Sequence, residues 1–319
     1  DPVDTTPPGV PSVSVLSPWT QGVDRVMAWG DDTDLSDQWR ISNSPVVDAN
    51  GMLVDGVTTT AIMYDWDVTD PATGGNSIDG PHDLYVQLRD LAGNWGAVGG
   101  KEVILDRTAP VVAGARARFV DSGLAVAAPD VAVAWEISET DANCLGSCDS
   151  PGEAQVSTDG ATWDAFGTFA GGGTYQVRAR QTDAAGNTSN WTAVSPVTVS
   201  ERQESSRAIT WSGSWTQHEV VTAYGGGYRS TTHGGSILRT TITASNLLVV
   251  GTATPGGGSV RVYLDGVLKG TVAERGAGAV DLLRADFGHV SAHTIKLVAV
   301  ARPGHRATFD AILALRQAG

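Results

Sequence analysis

The chain of 319 residues is poor in the residues that usually build redox, metal and membrane proteins. It contains two cysteines, six histidines and three methionines. No apolar run approaches the roughly 20 residues that a membrane-spanning helix requires, so the sequence predicts no membrane insertion. A helical period of useful length is also absent, which argues against a helical fold.

The two cysteines, Cys144 and Cys148, lie four positions apart with no second Cys or His pair nearby. A structural zinc site usually needs four ligands, and a redox pair is normally spaced Cys-x-x-Cys. We therefore predict a small loop disulfide, which implies an oxidising, extracytoplasmic setting. Two free thiols are the alternative.

Basic residues are scarce over the first two thirds of the chain. Residues 1–206 carry 10 Lys and Arg against 29 Asp and Glu, whereas residues 207–319 carry 11 against 6. The acidic part would repel nucleic acid and anionic membranes, so we expect neither as a partner. The mildly basic end could prefer a neutral or anionic ligand, although scattered arginines are more often solvated surface.

Motifs of enzyme active sites are missing as well. The three glycine runs precede neither a helix nor a Lys-Ser/Thr pair, so they are interpreted as loops rather than phosphate cradles. No Gly-x-Ser-x-Gly elbow occurs. A Ser-His-Asp arrangement from distant residues stays open, but we expect no enzyme activity. Five of the six histidines follow residue 207 and are interpreted as surface or hydrogen-bonded core groups: His218, His233, His289, His293 and His305.

Aspartates cluster in two places, and calcium is the metal to consider for them because it takes six to eight oxygen ligands. The clusters are Asp31, Asp32, Asp34 and Asp37, and then Asp65, Asp67 and Asp70. Neither has the Gly and distal Glu of an EF-hand loop. We predict solvated loops and no metal or cofactor, with calcium as the alternative.

Glycine, with 39 residues, and alternating apolar residues dominate what is present. In residues 80–94, alternation predicts a strand, and Asp-Leu-Ala-Gly-Asn at 90–94 predicts a tight turn, since Gly and Asn tolerate positive φ. The same unit recurs at 173–187, ending in Asp-Ala-Ala-Gly-Asn at 183–187. This repeat predicts an all-β fold with two similar domains, 1–106 and 107–200.

The repeated part resembles the bacterial immunoglobulin-like and fibronectin-type-III-like repeats of secreted and surface proteins. The resemblance rests on Ser-Thr-Asp-Gly-Ala-Thr-Trp at 157–163, on the two Asp-x-Ala-Gly-Asn turns, and on Asp-Arg-Thr-Ala-Pro at 106–110. It implies two tandem β-sandwiches that space and display other domains. Trp29 and Trp135, each at the end of an apolar strand, are predicted to be core.

Residues 201–206 are all polar and are predicted to be a linker. Beyond it, residues 207–319 resemble the jelly-roll module appended to many bacterial secreted hydrolases and surface proteins. The matching pieces are Trp-Ser-Gly-Ser-Trp at 211–215, Val-Tyr-Leu-Asp-Gly at 262–266, His-Thr-Ile-Lys-Leu at 293–297 and Phe-Asp-Ala-Ile at 309–312. Relatives with this fold often bind carbohydrate, but the calcium-binding Glu pair of some of them is not recognisable here.

The aromatic residues of this last domain are the candidate ligand contacts, because apolar walls with a few placed polar groups are typical of binding sites. Sugar rings can stack on such side chains. The candidate site consists of Trp211, Trp215, Tyr224, Tyr228, Arg229 and His218. The alternative is that these residues serve core and loop packing.

Together these observations predict a non-catalytic, extracellular or cell-surface binding and display segment of a larger bacterial protein, whose jelly roll binds a glycan or a cell-surface polysaccharide. The first residue, Asp1, is preceded by no initiator Met or signal-peptide pattern, so further domains of a longer precursor are expected. Two alternatives are a structural stalk or adhesin segment with a protein ligand or none, and the accessory tail of a secreted hydrolase.

Overall fold

A computed structural model describes residues 4–31, 35–119, 130–140, 152–165, 168–170, 172–221, 223–300 and 304–317. These residues form β-strands, with two single turns of 3-10 helix at Pro71–Thr73 and Tyr224–Gly226. The all-β prediction is confirmed, and the strands build β-sandwich domains. None of the described residues forms a helix long and apolar enough to cross a membrane. Cys144 and Cys148 lie outside the described residues, so their disulfide stays a prediction.

The chain divides into two compact units, of which the first holds residues 1–111 together with 139–151 and 181–190. Its sandwich consists of β1 (Ser12–Val15), β2 (Trp19–Thr20), β3 (Val23–Trp29), β4 (Leu35–Ser42), β5 (Val57–Thr59), β6 (Tyr64–Asp67), β7 (Gly80–Asp90) and β8 (Gly99–Leu105). One sheet has the order β1-β3-β6 and the other β2-β8-β7-β4-β5. Apolar side chains from both sheets form one core between them.

The prediction that Trp29 belongs to the core is wrong. Its side chain is 46% exposed, whereas Trp39 and Trp66 are 5% and 3% exposed. The period of two of a strand explains the difference. Val26 of β3 faces the core, so Trp29, three positions later, faces solvent. The described residues give no side-chain position for Trp135.

The predicted turn after β7 is confirmed. Gly93 has a φ of +99°, which an L side chain adopts only with strain. The two carboxylate oxygens of Asp90 accept hydrogen bonds from the backbone N and side-chain Nδ2 of Asn94, at 2.7 and 2.8 Å. Asn94 Nδ2 also donates to the carbonyl oxygen of Asp4 at 3.1 Å. The turn therefore binds the segment that leads into the first sandwich.

The second copy of this turn repeats the same contacts. Asp183 accepts from the backbone N of Asn187 at 2.8 Å and from its Nδ2 at 3.0 Å. Asn187 Nδ2 donates to the carbonyl oxygen of Asp106 at 2.9 Å, and Gly186 has a φ of +92°. In both copies the Asp-x-Ala-Gly-Asn turn thus holds the chain segment that leads into its own domain, through a hydrogen bond from the asparagine side chain.

The second unit holds residues 112–138, 152–180 and 191–319. The strands of the second repeat are β9 (Val111–Phe119), β10 (Asp130–Thr140), β11 (Glu153–Ser157), β12 (Asp164–Ala165), β13 (Thr168–Ala170), β14 (Thr174–Arg180) and β15 (Ser195–Gln203). The C-terminal part consists of β16 (Thr210–Ser212), β17 (Thr216–Glu219), β18 (Gly227–Thr231), β19 (Ile237–Ala253), β20 (Ser259–Leu264), β21 (Val267–Ala273), β22 (Gly278–Ala299), β23 (Ala307–Phe309) and β24 (Ala311–Gln317).

One sheet runs through both parts of this unit, in the order β12-β11-β14-β15-β24-β19-β22-β20-β21. The join is the antiparallel ladder between β15 and β24, which extends from Val197 opposite Gln317 to Gln203 opposite Ala311. The predicted linker at 201–206 is therefore wrong for residues 201–203. They are polar because their side chains bind neighbouring groups, while their backbones continue the strand.

Two cores flank this shared sheet. One lies within the C-terminal part and includes Leu238, Leu247, Ile295 and Phe309. The other combines side chains of the second repeat with side chains of β19, of β24 and of the 3-10 turn Tyr224–Gly226: Phe119, Val177, Val197, Val199, Tyr224, Leu248, Val250, Leu313 and Leu315. The second repeat and the jelly roll thus share buried apolar surface as well as a hydrogen-bond ladder.

A ladder of aromatic and cationic side chains covers one face of β11 and β14. The guanidinium carbon of Arg178 lies 4.1 Å from the ring centroid of Trp163 and 4.5 Å from that of Trp191. Arg180 lies over the ring of Trp191 at 4.5 Å. Arg178 also donates from Nε and Nη2 to Gln155 Oε1, at 3.0 and 2.6 Å. These contacts fix the two tryptophans against the sheet.

Candidate functional site

The candidate residues lie where the sheet β17-β18-β23 covers the short strand β16. Trp211 of β16 is half-buried, and its ring is packed edge-on against Trp215 at a centroid distance of 5.0 Å. Its other neighbours are Phe309, at 5.8 Å, and the guanidinium of Arg229, at 4.6 Å from the ring centroid. Trp211 is therefore enclosed on most sides and connects the core to the surface.

Trp215 is held beside Trp211 by the turn between β16 and β17. Gly213 has a φ of +85°, and a Cβ there would lie 2.6 Å from Ser236 Oγ, so no other residue fits easily. Trp215 Nε1 donates to the carbonyl oxygen of Ser212 at 3.3 Å. Residues 212–214 and 216 are exposed, and Trp215 is half-buried among them. Trp215 is the ring of this pair that stands among solvent-exposed neighbours.

His218 and Tyr228 are brought together directly by strand pairing, because they stand opposite each other in β17 and β18. Their rings stack at a centroid distance of 4.8 Å and an interplanar angle of 21°. His218 Nε2 and Ser230 Oγ lie 2.9 Å apart. Tyr228 is only 8% exposed. It supports His218 from within and offers little surface of its own.

Tyr224 is a correction to the predicted site, because its side chain is fully buried. Its backbone N donates to Asp310 Oδ2 at 3.1 Å, and its hydroxyl donates to Glu201 Oε2 at 3.0 Å. The Gly-rich loop forms a 3-10 turn that places the ring in the core shared with the second repeat. Tyr224 therefore packs in the interior and offers no side-chain surface to a ligand.

A polar group beside the tryptophan pair was missed at the sequence level. Gln217 and Arg229 are cross-strand partners, and Arg229 Nη2 donates to Gln217 Oε1 at 3.4 Å. Gln217 Nε2 donates to Glu204 Oε1 at 3.2 Å. Burial raises the pKa of Glu204, while the positive charge of Arg229 opposes that rise. No local motif marks Gln217, because only the pairing of β17 with β18 brings Arg229 opposite it.

The aromatic face is defined here as Trp211, Trp215, Arg229 and Gln217. It has a stacking surface in Trp215 and hydrogen-bonding groups in Gln217 and Arg229, which stand opposite each other in β17 and β18. His218 and Tyr228 form the next pair of the same ladder, so they point to the other face of the sheet and lie outside the aromatic face. An uncharged ring compound with several hydroxyl groups suits such a mixture, because aromatic walls bind its apolar face and polar groups orient its hydroxyls.

Two carboxylates are buried behind this region. Burial raises the pKa of Glu274 to about 7, against hydrogen bonds from Thr308 that lower it. Burial also raises the pKa of Asp310 to about 7, against hydrogen bonds from Thr252 and Tyr224. Both side chains are at most 1% exposed. They belong to the interior of the fold and do not reach solvent.

Asp32 and Asp34 of the first aspartate cluster lie outside the described residues. The second cluster makes ordinary contacts. Asp65 pairs with Arg25 at 2.8 Å, Asp67 Oδ1 accepts from Thr69, and Asp70 Oδ1 accepts from the backbone N of Ala72. Within the described ranges, no three His, Cys, Asp or Glu side chains are grouped as a metal site. The calcium alternative stays a prediction.

Comparison with known proteins gives no family for this chain. No family model matches it, and no curated protein does. Among solved structures, it is similar to a family two carbohydrate esterase from Cellvibrio japonicus, with 15% identity, 38% of this chain and 34% of that one covered, and a TM-score of 0.31. The chain thus spans about a third of the length of that esterase.

Two smaller structures are covered almost completely. One is the carbohydrate-binding module CBM36 in complex with calcium and xylotriose, with 13% identity, 36% of this chain and 98% of that one covered, and a TM-score of 0.27. The other comprises fibronectin(III)-like modules of Clostridium thermocellum CbhA, with 12% identity, coverage of 57% and 90%, and a TM-score of 0.29.

Proposed function

We propose that this chain is an extracellular or cell-surface binding and display segment of a larger bacterial protein, in which the jelly roll binds a glycan through the aromatic face and the two preceding sandwiches act as a spacer. The observation that carries the proposal is Trp215. It stands half-buried in an exposed turn, braced edge-on by Trp211, with Gln217 and Arg229 in the adjacent strands.

Rigid support of the ring favours binding. A side chain that is already fixed loses little rotamer freedom when a ligand stacks on it, so more of the contact energy appears as affinity. Trp211, Gly213 and the hydrogen bond from Trp215 Nε1 to Ser212 provide that support. Binding of this kind requires no bond to be made or broken.

The test is a glycan array probed with the whole chain, with added calcium and with chelator, followed by calorimetry on the hits. Trp215→Ala is expected to weaken binding at least about tenfold, or about 1.4 kcal/mol. Trp215→Phe should retain part of it. Trp29→Ala is the matched control, because Trp29 is an exposed tryptophan in the first sandwich.

The outcomes separate the alternatives. Equal glycan affinity of Trp215→Ala and the wild-type chain, with both folded by circular dichroism, would refute the aromatic face as the site. A blank array from the folded chain would favour the structural stalk, which the sheet shared between β15 and β24 also suits. Binding that requires calcium would add the metal ion as a cofactor.

A further inference from the structure

Three side chains outside the aromatic face form a hydrogen-bonded chain. Ser291 Oγ lies 2.7 Å from His293 Nε2, and His293 Nδ1 lies 2.8 Å from Asp265 Oδ2. Ser291 and His293 are two positions apart on β22, so their side chains emerge from the same face of the strand. Asp265 comes from the turn between β20 and β21, and β20 pairs with β22.

The two hydrogen-bond contacts determine which nitrogen of His293 carries the proton. The lowered pKa of Asp265, caused first by the hydrogen bond from His293, keeps that carboxyl ionised, and an ionised carboxylate can only accept. In the neutral imidazole, Nδ1 must then carry the hydrogen, and Nε2 has the lone pair. Ser291 therefore donates its hydroxyl proton to Nε2. This is the tautomer in which histidine acts as a base toward serine.

Each partner is held in place independently. Asp265 Oδ1 accepts from the backbone N of Thr294 at 2.8 Å, and Asp265 itself has a φ of +51° in its turn. The ring of Phe287 stacks on His293 at a centroid distance of 3.4 Å and an angle of 13°, and His293 is 8% exposed. The base is thus oriented by packing and by a carboxylate, as an activated nucleophile requires.

The hydrogen-bond ladder between β19 and β22 is interrupted next to Ser291. Ala244 pairs with Ser291 and Asn246 pairs with Asp286, so residues 287–290 of β22 leave the ladder between these two rungs. Residues 288–290 are exposed and Ser291 is half-buried. Bulges of this kind often lie beside functional groups because they redirect side chains.

We propose that Ser291 is a nucleophilic serine that accepts an acyl group from a small carboxylic ester, with His293 as its base and Asp265 as the positioning residue. Ser291 Oγ bonds to the acyl carbon while its proton passes to His293 Nε2. The ester C–O bond then breaks, and the leaving oxygen takes the proton from His293. Hydrolysis of the acyl-serine by water, with His293 again accepting the proton, would return the free serine. This inference does not rest on glycan binding.

The test uses the whole chain and p-nitrophenyl acetate, with release of p-nitrophenol followed by absorbance and the acetylated residue located by peptide mass mapping. We expect acetylation of Ser291 at least about 100-fold faster than of a serine peptide, the usual contribution of a positioned base. Ser291→Ala should abolish it. Ser259→Ala, on neighbouring β20, is the matched control and should react like the wild-type chain.

Asp265→Asn tests the mechanism without disturbing the interior, because the Asp265 side chain is 48% exposed. The backbone N of Thr294 would take the amide oxygen, so the amide nitrogen would face His293 Nδ1. The imidazole would then carry its hydrogen on Nε2 and could not accept from Ser291. We expect acetylation of Ser291 to slow at least about 100-fold. Acetylation confined to lysines or the N-terminus, or an unchanged rate in Asp265→Asn, would overturn the proposal.

Discussion

The buried pair Glu274 and Asp310 should make this protein more stable as the pH falls from 8 to 5. Both carboxyls have a pKa of about 7 in the folded chain, against 4.5 and 3.8 for the ordinary groups. The folded state therefore binds protons that the unfolded state releases. The stabilisation is complete below the unfolded pKa values and is lost as the pH rises through 7.

The hydrogen bonds of Thr308 point to the same protonation state. Its hydroxyl oxygen lies 2.6 Å from Glu274 Oε1 and 3.0 Å from the carbonyl oxygen of Thr252, and it accepts from the backbone N of Thr252 at 2.9 Å. One hydroxyl proton cannot serve both oxygens. A proton on Glu274 Oε1, donated to Thr308, satisfies every contact.

Asp310 has a different reason to hold a proton. Its Oδ2 accepts from the backbone N of Tyr224 and from Thr252 Oγ1, at 3.1 and 2.9 Å. Its Oδ1 is buried and makes no hydrogen bond with the described part of the chain. A charge on such an oxygen would lack any compensation, so the neutral acid is favoured.

The magnitude follows from the pKa values. Below pH 7 the slope for each group approaches about 1.4 kcal/mol of unfolding free energy per pH unit, because the folded chain then binds nearly one proton more than the unfolded chain. From pH 8 to 5 this amounts to about 2.5 kcal/mol for each carboxyl and about 5 kcal/mol for the pair. A change of about 5 kcal/mol exceeds the effect of most single substitutions on unfolding free energy.

Urea unfolding at pH 8, 7, 6 and 5, followed by tryptophan fluorescence, measures this dependence. The double variant Glu274→Gln/Asp310→Asn should lose most of the slope, whereas Glu102→Gln, which neutralises an exposed acid, should retain it. Comparing the variants also separates the effect of this pair from the general decrease in charge repulsion that acidification causes in an acidic chain. A flat or falling wild-type stability from pH 8 to 5, or an unchanged slope in the double variant, would refute the reasoning.

Two further predictions concern the second unit. Arg178→Ala should lower the unfolding free energy by about 1–2 kcal/mol because it removes a cation between Trp163 and Trp191. Arg261→Ala, which removes an exposed arginine of β20, is the control. Equal urea midpoints for the two variants would contradict a stabilising role for the stacked Arg178. A chain that begins at residue 207 should associate or unfold, because it exposes one edge of β24 and the apolar side chains that pack against the second repeat. Size-exclusion chromatography measures the association. A stable monomer would show that β15 is dispensable.

Local chemistry explains what the sequence could predict. The Asp-x-Ala-Gly-Asn turns were predictable because Gly93 and Gly186 need positive φ and because Asp and Asn bond within five residues. Trp29 was misplaced because an apolar strand end does not say which face the last residue occupies. The face of Trp29 follows from the number of residues between it and the buried Val26. Which of the two residues is buried depends on how β3 pairs with its neighbouring strands.

Long-range contacts explain what it could not predict. Glu201 and Arg202 look like linker residues, yet they pair with Leu313 and Ile312, more than 100 positions away. Tyr224 looks like an exposed aromatic in a glycine loop, yet that loop folds inward onto Asp310. The meeting of Asp265 with His293 likewise requires the pairing of β20 with β22, which no local motif specifies.

The sheet shared by β15 and β24 also sets the angle at which the jelly roll is presented. A module on a flexible tether searches many orientations before it meets a surface, and loses that freedom on binding. Here seven residue pairs join the second repeat to the last strand. The direction in which the aromatic face points is therefore built into the second repeat, and a partner surface would have to approach from that direction.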